Sequence, residues 1–544
     1  MMIYLRVIVA VLFCGTLMAQ EGKPQDYLSK EFHKSRREAL RSKMPMNSVA
    51  ILFANPVRNR ANDVEYVYHQ DPDLYYLTGY KEPNAVLVIF SEDQTNLDGK
   101  SYNEILYVQE KNPQSEMWTG KRLGTSGAMD ELGFDIALNG KEFLNSKIDY
   151  GSFDKVLFNN FQDDYRDSKR NGADLYDLIK TFKNDIAFDE FVPPSEALER
   201  AYYLIKTTDI ENSSNLVERF KSIAERYPEL NKDPLVKKYI EVKDNSLRLE
   251  LQQQAIKIEA EKPENKLDMK ALSTLMAGLR QIKTEEEMVL LKKAVRISAM
   301  GQREVMKAMH PNMSETEVQG IHEYVYKKYG SEFEGYPSIV GAGENGCVLH
   351  YVENSKMTLE NDLVLMDLGA EYHGYTADVT RTIPANGKFT KEQRQIYDLV
   401  YNAQEAGINA SRKGNAFSAP DKAAREVINA GLAELGIISS ANTRHSYFPH
   451  GATHYLGLDV HDAGLYGDYE PGMVITVEPG IYIPEGSDCD PKWWGIAVRI
   501  EDDILITDGD PVNLSAEAPR KSSEIERLMA QSSALDDFKL PKLD

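Results

Sequence analysis

Cysteine is scarce in this chain, which has three in 544 residues. So few cysteines in so long a chain exclude a disulfide framework, and the fold must depend on ordinary hydrophobic cores. Two of the three, Cys347 and Cys489, lie in the C-terminal half. They could pair or remain two buried free thiols, and the sequence leaves both readings open.

Basic residues are also in short supply. Lysine and arginine total 63 against 85 aspartates and glutamates, which gives a formal net charge of −22. Nucleic-acid binding needs clustered lysine and arginine to neutralise phosphates, so no nucleic-acid partner is expected. The hydrophobic content of 42% and the charged content of 27% are typical of a globular protein.

No hydrophobic run in the sequence is long enough to span a membrane. A nearly unbroken apolar run occupies residues 7–18, between Arg6 and Ala19. A membrane-spanning helix needs about 20 apolar residues, so this run predicts a cleaved signal peptide over residues 1–19. The expected mature protein is exported, periplasmic or secreted, with no stable membrane span. An uncleaved anchor or lipid attachment at Cys14 is the alternative.

The length predicts two or three domains rather than one core. Strand-like apolar runs alternate with helical stretches over residues 28–190, which indicates an α/β domain. Residues 191–285 repeat leucine and isoleucine among charges at helical spacing, typical of a helical connector. A second α/β domain is predicted at 286–515, followed by a C-terminal helix and tail at 516–544. The predicted fold class is therefore α/β (α+β).

Four acids follow or interrupt apolar strands of the second α/β domain. Asp367 ends the run from Leu363, and Asp378 lies on the predicted returning strand after a glycine-containing turn. Glu478 and Glu501 follow two later apolar runs. An acid buried in a strand is costly unless it is paired or binds a metal. Four such acids in two matching contexts predict a common centre.

Three of the ten histidines, His450, His454 and His461, fall within twelve residues of one another between the two acid pairs. Four carboxylates with one imidazole and no thiolate favour Mn²⁺, with Co²⁺, Zn²⁺ or Fe²⁺ as competitors. Four negative charges exceed what one divalent ion requires, so two ions are the simpler reading. Singly, these residues also fit a turn, a strand end, a buried histidine pair or a surface ion pair. Their joint occurrence predicts a metal site.

The sequence resembles the pita-bread metallopeptidases, which include methionine aminopeptidases, prolidases and Xaa-Pro aminopeptidases. Five segments carry the resemblance, in the family's order: 366–369, 376–382, 450–457, 477–480 and 499–503. In the N-terminal half, segments 69–80 and 117–124 resemble the first domain of aminopeptidase P. The resemblance implies a creatinase/aminopeptidase P-type N-terminal domain and a pita-bread catalytic domain. The helical connector is not part of the usual pattern and looks like an insertion.

The resemblance also implies a role for each site residue. The implied metal ligands are Asp367, Asp378, His454, Glu478 and Glu501, with Asp378 and Glu501 bridging two ions. Glu478 is also the implied general base. The other implied members of the catalytic site are His350, His450, His461 and Arg499.

The implied activity is hydrolysis of the bond before proline at the N-terminus of peptides, so the expected partners are peptides with proline at the second position. The nearest alternative is a prolidase acting on Xaa-Pro dipeptides. A remoter one is a metal-free pita-bread binding protein or a creatinase-like hydrolase, although such relatives typically lose ligand residues. Family members commonly form homo-oligomers, so a dimer or tetramer is expected.

Overall fold

The computed structural model describes residues 26–96, 98–162, 172–188, 195–224, 226–261 and 265–536. The predicted signal peptide lies outside these residues. Two compact units are present, one formed by residues 37–275 and the other by residues up to 36 together with 276–544. The boundaries fall within helices α1 (Lys30–Lys43) and α12 (Ala271–Arg280). Within the described part of the chain, no helix has the length and apolarity to cross a membrane.

The 37–275 unit is built on a six-stranded mixed sheet in the order β6-β5-β4-β1-β7-β8. Its strands, with the separate β2–β3 hairpin, are β1 Ser48–Phe53, β2 Asn59–Ala61, β3 Val64–Glu65, β4 Val86–Thr95, β5 Ser101–Val108, β6 Ala137–Asn139, β7 Lys155–Phe158 and β8 Leu267–Asp268. Strand β1 is antiparallel to β4 and parallel to β7. The sheet's helices are α2 Pro72–Thr78, α3 Pro113–Thr119, α4 Gly124–Asp130, α5 Gly140–Phe143 and α6 Leu175–Asp185, with a 3₁₀ turn at Tyr150–Ser152.

The predicted connector is helical and has a hydrophobic core of its own. Its helices are α7 Glu196–Thr207, α8 Ser213–Ala224, α9 Glu229–Lys232, α10 Pro234–Glu241 and α11 Asn245–Ala260, with a 3₁₀ turn at Ile210–Asn212. Phe220, Val236 and Leu251 are buried in that core. Pro234 opens α10 behind the Asp233 cap, where a missing amide hydrogen costs nothing.

The second unit carries all of the predicted site residues. Its strands are β9 Phe333–Glu334, β10 Ile339–Ala342, β11 Leu363–Asp367, β12 Ala370–Tyr372, β13 Tyr375–Thr376, β14 Thr380–Pro384, β15 Val474–Val477, β16 Gly480–Ile483, β17 Ile496–Arg499, β18 Asp502–Leu505 and β19 Val512–Asn513. Its helices are α13 Glu285–Ala308, α14 Glu315–Lys328, α15 Lys391–Ala410, α16 Ala419–Glu434 and α17 Ser522–Met529, with 3₁₀ turns at Gly343–Cys347 and Pro491–Trp493. Cys347 and Cys489 are both free.

Two strand groups bring the acid-bearing segments together. Strand β11 lies between antiparallel β10 and β14, while β15 pairs with β18 and β16 pairs with β17. The groups are joined where the Glu501 amide donates to the Thr380 carbonyl oxygen at 3.1 Å. The Thr382 hydroxyl donates to the Arg499 carbonyl oxygen at 3.0 Å. Strands β11, β15 and β17 are largely apolar and buried, so the acids at or just beyond their ends are carried into the interior.

The predicted position of Asp378 within a strand is wrong by two residues, because the returning strand β14 begins at Thr380. Between Asp367 and Asp378 the chain first forms the small β12–β13 hairpin, which pairs with β9. The Asp378 amide donates to the carboxylate of Asp503 at 3.3 Å instead of joining a strand ladder. Asp378 therefore lies on the connection into β14, opposite the end of β11.

Helix α14 contains a buried histidine, His322, whose protonation is expected to make the stability of the fold depend on pH. His322 is fully buried, and neither ring nitrogen has a hydrogen-bond partner among the described residues. Burial lowers the pKa of His322 to about 3, whereas an unfolded histidine titrates near pH 6.5. The contribution of the neutral His322 ring to the free energy of unfolding is therefore fully present above about pH 6.5, and it is lost as the pH falls toward 3.

We expect His322→Leu to flatten this acid-side loss by about 1 kcal/mol per pH unit between pH 6 and 4. The measurement is the free energy of unfolding in urea at several pH values, for wild type and variant. His310→Gln, at an exposed position nearby, is the matched control and should follow the wild type. Parallel curves for His322→Leu and wild type would contradict the prediction.

Candidate active site

The ends of four buried strands place the predicted acids. Asp367 is the last residue of β11, and Asp378 precedes β14. Glu478 directly follows β15, and Glu501 lies between β17 and β18. Each acid is thus held by a rigid strand on at least one side, which is how a scaffold positions a preorganised ligand set.

Three of the predicted ligands form one tight cluster. Donor atoms of Asp378, His454 and Glu501 all lie within 4.8 Å of one another. The His454 Nε2 atom is 3.5 Å from an Asp378 oxygen and 3.4 Å from Glu478 Oε1. The fifth ligand, Asp367, is joined to Asp378 through a shared hydroxyl partner. The structure therefore brings all five predicted ligands to one place.

That hydroxyl belongs to Tyr336, which the sequence reasoning missed. Its oxygen is 2.6 Å from Asp367 Oδ1 and 2.6 Å from Asp378 Oδ1. A hydroxyl donates one proton, so the two acids share it. Tyr336 lies just before β10, 31 residues ahead of Asp367. The contact between Tyr336 and Asp367 arises from the pairing of β10 with β11, which the sequence alone does not reveal.

A second hydrogen-bonded chain runs from the acids to His450. Arg499 donates to Asp367 Oδ2 at 2.5 Å and to the Tyr482 hydroxyl at 2.8 Å. The same hydroxyl lies 2.8 Å from His450 Nε2. Tyr482 was also missed, although its place on β16, two residues past the Glu478-Pro479-Gly480 turn, offered a signal in the alternation of side chains along a strand.

His461 and His350 lie on the solvent side of the cluster, and both residues are exposed. The rings of His461 and His454 have centroids 4.2 Å apart. His350 follows Leu349, whose carbonyl oxygen is 3.5 Å from Arg499 NH2. The structure thus brings every predicted site residue to one region and leaves two of the histidines open to an incoming molecule.

The electrostatics show an excess of negative charge. Burial, followed by the charge of Asp367, raises the pKa of Asp378 well above its usual range. Burial and the neighbouring Asp378 do the same to the pKa of Glu501. Burial and the charge of Glu501 raise the pKa of Glu478 to about 8. Burial also raises the pKa of Asp367, but Arg499 more than offsets it and lowers that pKa.

A divalent metal fits this donor set. Arg499 is the cation in direct contact with the described ligand acids, and it pairs with Asp367 alone. Asp378, Glu478 and Glu501 remain close together, with the His454 imidazole 3.5 Å from an Asp378 oxygen and 3.4 Å from a Glu478 oxygen. Buried carboxylates held this way are stable as anions only with added positive charge. Oxygen-rich ligands with one imidazole suit divalent ions such as Mn²⁺, Zn²⁺ and Co²⁺.

Family models match the chain at residues 289–508, as "Metallopeptidase family M24", and at residues 33–149, as "Aminopeptidase P, N-terminal domain". The Xaa-Pro aminopeptidase of Escherichia coli strain K12 is 32% identical over 514 residues, which cover 92% of this chain and 98% of the relative. This chain belongs to metallopeptidase family M24. The predicted metallo-aminopeptidase class is confirmed, and so is the predicted α/β fold with an aminopeptidase P-type N-terminal domain and a C-terminal pita-bread domain.

Solved structures agree with this M24 assignment. Escherichia coli aminopeptidase P with the inhibitor Pro-Leu matches with a TM-score of 0.70 and 31% identity, over 92% of this chain and 98% of that one. Its zinc-substituted form in complex with product matches with a TM-score of 0.70 and 30% identity, over the same shares. The M24 metallopeptidase relationship supports divalent metals as cofactors of this chain.

Tyr336 offers a test of the acid pair in this M24 enzyme. We expect Tyr336→Phe to weaken metal binding by roughly 10–100-fold, because Asp367 and Asp378 lose the hydroxyl that orients them. The measurement is titration of the metal-free protein with Mn²⁺ or Zn²⁺ by calorimetry. Tyr329→Phe, at an exposed tyrosine of the same unit, is the control. Unchanged affinity in Tyr336→Phe would contradict the prediction.

Proposed function

We propose that this enzyme removes the N-terminal residue from peptides whose second residue is proline. The observation that carries the proposal is the cluster of Asp367, Asp378, His454, Glu478 and Glu501. All five residues lie within the segment that matches metallopeptidase family M24. Two relatives matched over 98% of their own length support the proline preference, since they are Xaa-Pro aminopeptidases. The N-terminal domain match also supports it.

The proposed metal ligands are the same five residues, which would hold two divalent ions, Mn²⁺ first among them, with Asp378 and Glu501 serving both. When bound, the ions supply the Lewis acidity that amide hydrolysis requires. Glu478 takes a proton from the attacking water and delivers it to the proline nitrogen as the bond breaks. An amide nitrogen leaves as an amine only once it has gained a proton, so the departure of the proline nitrogen depends on this delivery.

The remaining residues orient the substrate and the acids. Either His461 or His350, on the open side, donates a hydrogen bond to the scissile carbonyl oxygen as it gains negative charge. Arg499 holds Asp367 and, through Tyr482, His450. His450 therefore keeps a fixed orientation beside Glu478, whose Oε2 is 3.5 Å from its Nδ1.

The test is a peptide panel read by mass spectrometry. The panel pairs Xaa-Pro-Xaa tripeptides with Xaa-Ala-Xaa tripeptides and Xaa-Pro dipeptides, before and after chelation and with Mn²⁺ restored. We expect release of the first residue from the proline tripeptides, loss of activity on chelation and recovery with Mn²⁺. Cleavage confined to dipeptides would show a prolidase instead. Metal analysis of the protein as purified should give two ions per chain.

We also propose export with removal of residues 1–19, to the periplasm or the medium, and assembly into a homo-dimer or tetramer. The domain limits proposed are 28–190, 191–285, 286–515 and 516–544. Mass spectrometry of the N-terminus of protein from the native cell tests the cleavage, and light scattering tests the assembly. An intact N-terminus, or a monomer at micromolar concentration, would contradict the respective proposal.

A further inference from the structure

Three buried ions lie behind the loop that carries His454 and His461. The side chains of Asp462, Lys283 and Arg280 are 2%, 1% and 5% exposed. The Lys283 ammonium donates to Asp462 Oδ2 at 2.7 Å and to the Arg280 carbonyl oxygen at 2.7 Å. Arg280 donates to the other oxygen of Asp462 and, at 3.0 Å, to Asp459. A buried acid with two cationic donors is held in one place.

The Asp462 carboxylate sits where a side chain at position 457 would be. A Cβ added to Gly457 would lie 2.1 Å from Asp462 Oδ2 and 2.9 Å from Lys283 Nζ. The loop is also closed through its backbone, since the Asp462 amide donates to the Tyr455 carbonyl oxygen at 3.0 Å. The amide of Gly457 donates to the carbonyl oxygen of Asp459 at 3.1 Å. His454 and His461 stand at the two ends of this closed loop.

One of the two cations that hold Asp462, Lys283, adjoins helix α13, and α13 also contacts the strand ends that carry the acid pair. Lys283 immediately precedes Thr284, the capping residue of α13. Further along α13, Gln302 donates to the carbonyl oxygen of Met366 at 3.1 Å and to that of Val379 at 2.8 Å. These are the neighbours of Asp367 and Asp378. Helix α13 therefore connects the loop that carries His454 and His461, through Lys283 at its start, to the strands that carry the acids, through Gln302 farther along.

We infer that Asp462, held by Lys283 and Arg280, is a positioning residue that fixes the His461 imidazole against His454 for the reaction. This inference rests on the proposed function of His461. Because Asp462 touches His461 only through the chain, it acts on geometry, and a ring displaced by about 1 Å loses much of its effect on the transition state. Removing an orienting group of this kind typically costs 10–100-fold in activity.

The experiment measures kcat and KM on an Xaa-Pro-Xaa peptide, per metal-loaded chain. Asp462→Asn is expected to lower kcat by about 10–100-fold, with KM and metal content close to wild type. Gly457→Ala should reproduce the loss without changing any charge, because the new methyl group displaces the carboxylate. Lys283→Arg should retain most of the activity that Lys283→Met loses. Lys413→Met, which removes an exposed cation, should match wild type.

A double-mutant cycle separates positioning from a general structural role. In a His461→Ala background, Asp462→Asn and Gly457→Ala should each cause no further loss of kcat, since their effect passes through the missing ring. Losses that multiply with His461→Ala would overturn the inference while leaving the proposed function intact. Wild-type kcat in Asp462→Asn and Gly457→Ala would also overturn it. A fully active His461→Ala would overturn both the inference and the proposed role of His461.

Discussion

Replacing Asp378 with asparagine is expected to lower kcat/KM on Xaa-Pro peptides by roughly a thousandfold or more. Asp378 lies between the two parts of the proposed site, 2.6 Å from Tyr336 on the Asp367 side and 3.5 Å from His454 on the other. Asparagine keeps the size but removes the charge that a bridging ligand needs. Steady-state kinetics of the purified variant measure the loss of kcat/KM, and metal analysis of the same sample measures the loss of bound metal.

The same variant makes an opposite prediction for the metal-free protein. Burial and the charge of Asp367 raise the pKa of Asp378, so its ionised form is disfavoured without a metal. Metal-free Asp378→Asn should therefore melt at or above the temperature of metal-free wild type, yet gain little when Mn²⁺ is added. Asp508→Asn, at an 80% exposed side chain, is the control for both measurements. Normal activity, or a normal metal-induced rise in melting temperature, would contradict the assignment of Asp378.

Replacing Asp502 with alanine is expected to cost about 3–5 kcal/mol of stability. Arg381 and Asp502 are fully buried and joined by a 2.7 Å ion pair. Asp502 also accepts from the Ser515 hydroxyl at 2.5 Å and from Gln404 at 2.9 Å. Alanine would leave the Arg381 guanidinium buried without its carboxylate, which costs far more than losing an exposed pair.

The change should also disturb the site, because Arg381 NH1 donates to the Glu501 carbonyl oxygen at 2.7 Å. Thermal unfolding should show a fall of roughly 10 °C in the transition of the unit that holds the metal site. Asp510→Ala breaks the exposed pair with Arg412 and should cost less than about 1 kcal/mol. Equal effects of the two variants would mean that burial of the Arg381 pair contributes nothing.

Much of the fold could be predicted from the sequence. Helix α13 begins at Glu285, one residue before the predicted start of the second α/β domain at residue 286, and α16 spans Ala419–Glu434 within that predicted domain. Both have clear amphipathic patterns, and α13 starts with the Thr284 and Glu287 capping box. The start of the strand after Asp378 was less predictable, since the intervening β12–β13 hairpin pairs with a distant strand.

The sequence by itself predicted which acids and histidines lie together, because carboxylates at the ends of apolar strands are costly without partners and so stand out. It also determined the enzyme class, through five segments in a fixed order. Only the tertiary structure decided which groups orient these residues. Tyr336 meets Asp367 across a strand pair, and Lys283 meets Asp462 over 179 residues of chain. Local pattern carries no record of such contacts, since packing between distant elements creates them.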